Sequence, residues 1–313
     1  MATLSQTRTG LPGVALLDRI GNTPLLRLER LTSHLPGIQI LGKAEWANPG
    51  GSVKDRPASA IVLDAIRRQQ LCPGRRLLDA TSGNTGIAYA MLGAAMAFPV
   101  TLCMPSNVSP ERKRILQAYG AEMVWTDPND SSDGAIRRAR ELAQDSQYFY
   151  ADQYGNENNW RAHFLTTGPE IWEQTEGRVT HFVAGMGTSG TFTGVSRRLR
   201  ELNPAVECIA MQPDSPFHGL EGLKHYASSI VPSIFDPSLV SRILEVETEA
   251  AYAMAKQLGR TEGLLVGISA AAAVVACLRL AEELARHGRE ATIVTVLPDS
   301  ADKYLSDRFW EEA

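Results

Sequence analysis

The sequence has few of the features that mark several common protein classes. It has only four cysteines, Cys72, Cys103, Cys208 and Cys277, and none lies in a CxxC or Cys/His spacing. We therefore expect neither a disulfide framework nor a metal site. Lysine and arginine do not cluster with aromatic residues, and the formal net charge is −4. Both observations argue against a nucleic-acid partner.

Long hydrophobic runs are also missing. No segment approaches the length needed to span a bilayer, and the start, MATLSQTRTGLPG, lacks the apolar core of a signal peptide. We therefore expect a cytoplasmic protein with no membrane partner. No low-complexity linker or repeated period occurs. Hydrophobic residues make up 44% and charged residues 21%, which is typical of a globular chain.

What the sequence does contain is an alternation of short apolar runs with helix-like segments, which is typical of an open α/β fold. The runs are RRLLDA (75–80), PVTLCMP (99–105), AEMVWT (121–126), THFVAGM (180–186), VECIAMQ (206–212) and ATIVTVLP (291–298). A chain of 313 residues is long enough for two such domains sharing a cleft. The polar stretch DQYGNENN at 152–159 is the best candidate for a domain junction.

The first candidate motif is NPGGSVKDR at 48–56. Two glycines allow a tight turn, and Lys54 follows them among Ser52, Val53 and Asp55. We predict that this lysine lies at the N-terminus of a helix. Taken alone, the string is more typical of a surface lysine in a turn, so its function depends on the other motifs.

The second motif is TSGNTG at 81–86, directly after the run RRLLDA and directly before the apolar stretch IAYAMLGAAMA. Such a loop at a strand-to-helix junction directs backbone N–H groups and hydroxyls toward an anion. It is suited to hold a carboxylate or a phosphate. A helix capped by Ser or Thr explains the same residues equally well.

The third motif is GMGTSGT at 185–191, which also follows a strand-like run and precedes a helix-like one. Its glycines permit close backbone approach, and Thr188, Ser189 and Thr191 place hydroxyls at the positive end of the helix dipole. The motif therefore predicts a phosphate-binding loop. GMGTSG also fits the dinucleotide pattern G-x-G-x-x-G, but Glu207, near the spacing of the ribose-binding acid, opens the next strand instead of closing it.

The fourth motif is EGLLVGISAAAA at 262–273, in which Gly267 and Ser269 precede an alanine-rich helix. Taken alone, Ser269 is best explained as the cap of that helix. In the company of the other motifs it gains a second candidate role, as a side chain that faces a ligand.

Together these four motifs resemble, in matching order, those of the pyridoxal-phosphate-dependent β-family, specifically its cysteine synthase and cystathionine β-synthase branch. TPLLRLERL (23–31), LTTGPEIWEQ (165–174) and LPDSADKYLSDRFW (297–310) extend the resemblance over nearly the whole chain. It implies an enzyme that uses pyridoxal 5'-phosphate. It also implies two open twisted sheets flanked by helices, as in the tryptophan synthase β-subunit and other fold type II enzymes.

The resemblance implies roles for individual residues. Lys54 would form the Schiff base with the cofactor and later act as the base at the substrate Cα. Asn84 would bond the ring hydroxyl, and Ser269 would face the pyridine nitrogen. The cofactor phosphate would be held by Gly187, Thr188, Ser189, Gly190 and Thr191. The substrate carboxylate would be bound by Thr81, Ser82, Gly83, Thr85 and Gln153.

Ser269 bears on the type of reaction. A neutral hydroxyl cannot stabilise a protonated pyridinium as an aspartate would, so the ring is a weaker electron sink. This favours β-elimination over transamination or racemisation. The expected reaction is β-replacement through an aminoacrylate, in which O-acetylserine or O-phosphoserine and sulfide or thiosulfate yield L-cysteine.

The stretch 218–240, HGLEGLKHYASSIVPSIFDPSLV, resembles the second, more substrate-tolerant cysteine synthase of bacteria, the B type. Some relatives place an arginine in this neighbourhood that handles anionic substrates. Lys224 is therefore a candidate substrate-binding residue. The alternative for a lone lysine is a solvated side chain.

Several alternatives remain open from the sequence. Cystathionine β-synthases and serine or threonine dehydratases share the scaffold, and a nicotinamide-dependent oxidoreductase or a regulatory paralogue would belong to other classes. We expect a smaller mobile domain at 46–156 with the TSGNTG loop, and a larger domain at 1–45 and 157–313 with the phosphate loop. By analogy with its relatives, the protein is expected to be a homodimer.

Overall fold

The computed structural model describes residues 12–81 and 83–311. The strands in them are β1 (Leu25–Arg27), β2 (Ile38–Ala44), β3 (Arg76–Ala80), β4 (Val100–Pro105), β5 (Glu122–Thr126), β6 (Tyr148–Tyr150), β7 (His181–Gly185), β8 (Glu207–Pro213), β9 (Arg242–Val246) and β10 (Ala291–Leu297). The α-helices are α1 (Val14–Leu17), α2 (Asp55–Arg67), α3 (Asn84–Met96), α4 (Pro110–Ala118), α5 (Ser131–Leu142), α6 (Asn158–Ala162), α7 (Gly168–Gln174), α8 (Gly190–Leu202), α9 (Thr248–Glu262) and α10 (Ile268–Arg286). The strands form two sheets, so the predicted α/β fold of two sheets with flanking helices is confirmed.

The described residues divide into two compact units. The first takes those up to Gly21 and Asn48–Asn159, and the second takes Asn22–Ala47 and the residues from Trp160 onward. The sequence grouped residues 1–45 with the larger domain. In the structure Leu17 packs in the core of the first unit, and the Gly21 N–H donates to Asn48 Oδ1 at 2.8 Å. The mobility of the smaller domain stays a prediction.

The sheet of the first unit has the order β5-β4-β3-β6, and all its pairs are parallel. One face of β3 is buried in a core that includes Leu77 and α3, and the other face packs with α5 around Leu78. Parallel strands end at the same edge of a sheet. Thr81, which follows β3, and Gln153, which follows β6, are therefore brought to one edge.

The sheet of the second unit has the order β1-β2-β10-β7-β8-β9, and β1 is the antiparallel member. The alanine-rich part of α10 is buried in the core of this unit. Because β7 and β10 are parallel neighbours, the loop after Gly185 and Asp299 lie at the same edge. None of the helices in the described part of the chain combines the length and apolarity that a membrane span requires.

Candidate active site

Lys54 lies in the first unit, immediately before α2, as the glycine-rich motif predicts. Its backbone N–H donates to Ser52 Oγ at 3.2 Å, and its carbonyl accepts the first helical bond, from Ala58. The turn before it is fixed by the buried Asp55, whose Oδ2 accepts from the Gly50 N–H at 2.5 Å. A Cβ at Gly50 would lie only 2.5 Å from Asp55 Oδ1, so this position requires glycine. The half-buried Lys54 is thus set at a rigid helix N-terminus.

The TSGNTG loop connects β3 to α3. Thr81 is buried, and its Oγ1 accepts from the Gly83 N–H at 3.1 Å and from the Gly86 N–H at 3.2 Å. A threonine hydroxyl has two acceptor positions and one hydrogen to donate. With both acceptor positions used inside the loop, the Thr81 hydroxyl can serve a ligand only as a donor. Ser82 lies outside the described residues.

Thr85 and Gln153 are joined directly. The Thr85 hydroxyl donates to Gln153 Oε1 at 2.7 Å, and Gln153 Nε2 donates to the Ala80 carbonyl at 2.5 Å. Both side chains are buried. The structure thus brings Thr81, Gly83, Thr85 and Gln153 together at one edge of one sheet. Asn84 is the first residue of α3, next to Thr85.

Two ionisable side chains, Arg112 and Asp79, are buried beside this loop. A Cβ at Gly83 would lie 2.8 Å from Nε of Arg112, a buried arginine on α4, so the loop runs against that guanidinium group. Asp79, at the end of β3, is also buried. Burial is the main cause that raises the pKa of Asp79 to about 8. The sequence predicted a role for neither residue.

The GMGTSGT loop connects β7 to α8 in the second unit. A Cβ at Gly187 would lie 2.2 Å from the Gly222 carbonyl oxygen, so only glycine fits. Ser189 has a left-handed φ of 65°, which is strained for a residue with a side chain. Its buried hydroxyl makes no hydrogen bond of good geometry within the described residues, but it lies close enough to the Tyr226 hydroxyl to oppose the rise that burial causes in the pKa of Tyr226. A strained turn at the start of a 13-residue helix, with a buried hydroxyl to satisfy, fits an anionic phosphate group.

Two residues that sequence analysis did not single out support this loop. His163, buried in the π-helical turn His163–Thr167, has Nε2 3.3 Å from Thr191 Oγ1 and Nδ1 2.9 Å from Thr167 Oγ1. The Tyr226 hydroxyl donates to the Gly187 carbonyl at 3.2 Å. A π-helical turn often marks a functional site, but its geometry cannot be recognised from sequence.

Ser269 lies inside the first turn of α10. Gly267 occupies the N-cap position and its backbone N–H donates to the Asp299 carbonyl at 3.0 Å. The alternative that Ser269 caps this helix is therefore wrong. Since Asp299 follows β10 and the GMGTSGT loop follows β7, the first turn of α10, which contains Ser269, begins at the sheet edge that carries the GMGTSGT loop.

Lys224 is 5% exposed, so the alternative of a solvated side chain is also wrong. Its backbone N–H donates to the Met186 carbonyl at 2.8 Å, one residue before Gly187. The Lys224 backbone is therefore bonded to the start of the GMGTSGT loop.

Comparison with known proteins decides between the cofactor classes. Residues 16–299 match the family of pyridoxal-phosphate dependent enzymes. A cysteine synthase of Aquifex aeolicus (strain VF5) is 52% identical over 301 residues, covering 95% of this chain and 92% of that protein. The chain belongs to the pyridoxal-phosphate-dependent enzyme family. The alternative of a nicotinamide-dependent oxidoreductase is wrong.

Other members of the family agree. Cysteine synthase B of Escherichia coli (strain K12) is 40% identical, covering 98% of this chain and 95% of that protein. The crystal structure of a cysteine synthase from Entamoeba histolytica superimposes with a TM-score of 0.88 and 35% identity, covering 95% of this chain and 90% of that one. The predicted resemblance to the cysteine synthase branch and the predicted cofactor are thus confirmed.

Proposed function

We propose that this enzyme is a cysteine synthase, which makes L-cysteine from an O-activated serine and a sulfur donor. The observation that carries the proposal is the 52% identity to a cysteine synthase over nearly the whole chain. The two polar strand-to-helix loops support it, because one is suited to a carboxylate and the other to a phosphate.

The residues around the GMGTSGT loop are proposed to hold the cofactor. The backbone N–H groups at the start of α8 and the hydroxyls of Thr188, Ser189 and Thr191 would bind its phosphate. The buried Ser189 hydroxyl at the strained start of α8 supports this assignment. Asn84 is proposed to bond the ring hydroxyl, and Ser269 to face the ring nitrogen.

Pyridoxal phosphate, when bound, supplies an electron sink for the substrate Cα. Lys54 Nζ is proposed to attach the cofactor and, once displaced by the substrate amine, to take the proton from Cα. The Thr81 hydroxyl, limited to donating, would bind one oxygen of the substrate carboxylate. Gln153 Nε2 donates one of its two hydrogens to the Ala80 carbonyl. Its second hydrogen would be donated to the substrate carboxylate.

The net reaction exchanges one bond at the substrate Cβ for another. The Cβ–O bond to the acetate or phosphate group breaks as the Cα proton leaves, and a Cβ–S bond to the sulfur donor forms. A proton then returns to Cα, and Lys54 Nζ is the proposed donor. The neutral hydroxyl of Ser269 leaves the ring a weak sink, which favours this route over transamination.

Product analysis tests the proposal. Purified enzyme with O-acetylserine and sulfide is expected to form L-cysteine and acetate, and to show a visible absorption band from bound cofactor. Cystathionine formed faster from homocysteine, or pyruvate formed without any sulfur donor, would assign the chain to one of the alternative activities. An inactive protein with intact cofactor binding would indicate a regulatory paralogue.

We also propose that Lys224 favours anionic substrates, because a buried cation attracts a phosphate or thiosulfate more strongly than an acetyl ester. Lys224→Met would be compared with the parent on O-acetylserine with sulfide, O-phosphoserine with sulfide, and O-acetylserine with thiosulfate. A loss in kcat/KM of about 1–3 kcal/mol confined to the two anionic pairs is expected. Equal losses on all three pairs would assign Lys224 a structural role.

A homodimer in the cytoplasm is the proposed setting, by analogy with relatives. Analytical ultracentrifugation of the purified enzyme is expected to give twice the 34.1 kDa chain mass. A species of single-chain mass would contradict the dimer.

A further inference from the structure

Asp79 is a buried acid in the first unit that the proposed mechanism does not use. It lies at the end of β3, two residues before Thr81, and is fully buried. Its Oδ1 accepts from the Ala80 N–H at 2.8 Å, and its Oδ2 accepts from the Gln153 N–H at 3.2 Å. Asp79 is thus tied to two backbone positions, of which one belongs to a segment 74 residues further along the chain.

The segment that Asp79 holds needs such support. Asp152, directly before Gln153, has a left-handed φ of 47°, a conformation that costs energy for a residue with a side chain. On the other side of Gln153, its carbonyl accepts from Asn159 Nδ2 at 2.6 Å. The Gln153 backbone is therefore held at its N–H by Asp79 and at its carbonyl by Asn159.

From Gln153 the connection continues into the TSGNTG loop. Its side chain accepts from the Thr85 hydroxyl and donates to the Ala80 carbonyl. A displacement of the Gln153 backbone would thus move both the Gln153 amide and the Thr85 hydroxyl. We propose that Asp79 is a positioning residue that holds Gln153, and through it Thr85, in place to bind the carboxylate of the amino-acid substrate. The inference rests on the proposed function for the identity of that substrate.

The charges around Asp79 make this connection sensitive to pH. Burial raises the pKa of Asp79 to about 8, the nearby Asp152 raises it further, and hydrogen bonds to Ala80 and Gln153 oppose the rise. Tyr89 on α3, Tyr150 on β6 and Cys103 on β4 also face this carboxyl group. Arg138, Arg140 and Glu141 on α5 act on Cys103 and Tyr150.

Ionisation of Asp79 strengthens its bond to the Gln153 N–H, because a charged acceptor binds an N–H more tightly than a neutral one. The hold on Gln153 is therefore expected to tighten as the pH rises through about 8. A side chain at position 79 that does not titrate would lack this change.

Asp79→Asn tests the proposal by kinetics in the holoenzyme. We expect the KM for O-acetylserine to rise about ten-fold, with kcat and the KM for sulfide changed by less than about three-fold. The ratio of parent to variant KM is expected to change with pH around 8, which also cancels the titration of the substrate itself. Asp145→Asn, which removes an exposed carboxylate from the turn before β6, is the matched control and is expected to behave like the parent.

Hydrogen exchange gives a second readout that needs no substrate. In Asp79→Asn the segment 150–156 is expected to exchange faster than in the parent, whereas segments of the second unit are expected to stay unchanged. Failure of the parent to turn over O-acetylserine would contradict the proposed function and leave this measurement valid. Unchanged exchange, or equal rises in the KM of both substrates, would overturn the role of Asp79.

If Asp79→Asn does not fold, Tyr89→Phe provides the test, because it keeps the carboxyl group and removes the neighbouring hydroxyl that lowers its pKa. The pH midpoint of the KM for O-acetylserine is then expected to move upward. An unmoved midpoint would overturn the proposal.

Discussion

The two polar strand-to-helix loops, one in each unit, are built alike and stabilised differently. Each follows a parallel strand and opens a 13-residue helix. In the TSGNTG loop the described hydroxyls already have partners, since Thr81 bonds two backbone N–H groups and Thr85 bonds Gln153. In the GMGTSGT loop the buried hydroxyl of the strained Ser189 makes no hydrogen bond of good geometry among the described residues, and the Tyr226 hydroxyl is its close polar neighbour.

The difference suggests what each loop needs from its ligand. A loop whose groups bond one another is formed before a ligand arrives, and the ligand uses only the donors that remain. A loop whose buried hydroxyl makes no hydrogen bond of good geometry is less stable than it becomes once a ligand accepts one. A substrate that comes and goes suits the first arrangement, and a resident cofactor suits the second.

The largest effect is expected from replacing Lys54, because this removes covalent attachment of the cofactor and leaves non-covalent binding. Lys54→Ala is expected to lower turnover by about 10²–10⁴-fold or more and to remove the visible band of the attached cofactor. Because the loop proposed to bind the phosphate lies in the other unit, the variant is still expected to bind pyridoxal phosphate and to keep its circular dichroism spectrum. Turnover equal to that of the parent would contradict the proposed role of Lys54 in attaching the cofactor.

A second test concerns the pH dependence of stability in the first unit. An aspartate in an unfolded chain has a pKa of about 3.9, whereas burial raises that of Asp79 to about 8. Between these values the folded protein keeps a proton that the unfolded chain has lost, so stability falls as the pH rises. Urea titrations of the apoprotein at pH 5, 6.5 and 8 are expected to show a shallower fall for Asp79→Asn than for the parent. Parallel profiles would contradict the raised pKa.

The features that could be predicted from sequence are those that depend on neighbouring residues. The six apolar runs contain β3, β4, β5, β7 and β10, and all of β8 except its last residue. The start of α4 is a local signal of the same kind, because Ser109 is its N-cap, Pro110 is its first residue and the Ser109 hydroxyl accepts from the Arg112 N–H. Edge strands such as β1 and β9 were not predicted, because they have few buried positions and thus a weak pattern.

Contacts between distant residues could not be predicted in the same way. An aspartate in RRLLDA looks like the end of a buried strand, and its bond to Gln153 depends on how β3 and β6 pair. The same holds for His163 and Thr191, which meet because a π-helical turn changes the direction of a side chain. The roles of all the candidate site residues stay predictions, since each depends on a ligand.

A smaller effect is expected from adding one carbon to the phosphate loop. Gly187→Ala would place Cβ 2.2 Å from the Gly222 carbonyl oxygen, and forcing the two apart is expected to cost about 2 kcal/mol in cofactor affinity. Gly259→Ala on α9 is the matched control, because its Cβ would meet only Leu265 Cδ2, a flexible side chain, at 3.2 Å. Fluorescence titration of the apoproteins with pyridoxal phosphate measures both. Unchanged affinity in Gly187→Ala would show that the loop does not bind the phosphate.

The smallest effects test the comparison of the two loops most directly. Ser189→Ala keeps Cβ and the left-handed φ and removes only the hydroxyl, so the apoprotein is expected to be as stable as the parent or slightly more stable. Its affinity for pyridoxal phosphate is expected to fall by about 1.5 kcal/mol, as for a hydrogen bond to a charged group.

Thr85→Val removes a hydroxyl that donates a hydrogen bond to Gln153, so it is expected to lower the stability of the apoprotein by about 1 kcal/mol and to leave cofactor affinity nearly unchanged. Thermal unfolding of the two apoproteins measures the change in stability of each variant, and titration with pyridoxal phosphate measures the change in its cofactor affinity. If Ser189→Ala destabilises the apoprotein as much as Thr85→Val does, the hydroxyl has a partner within the protein, and the two loops do not differ in the way described.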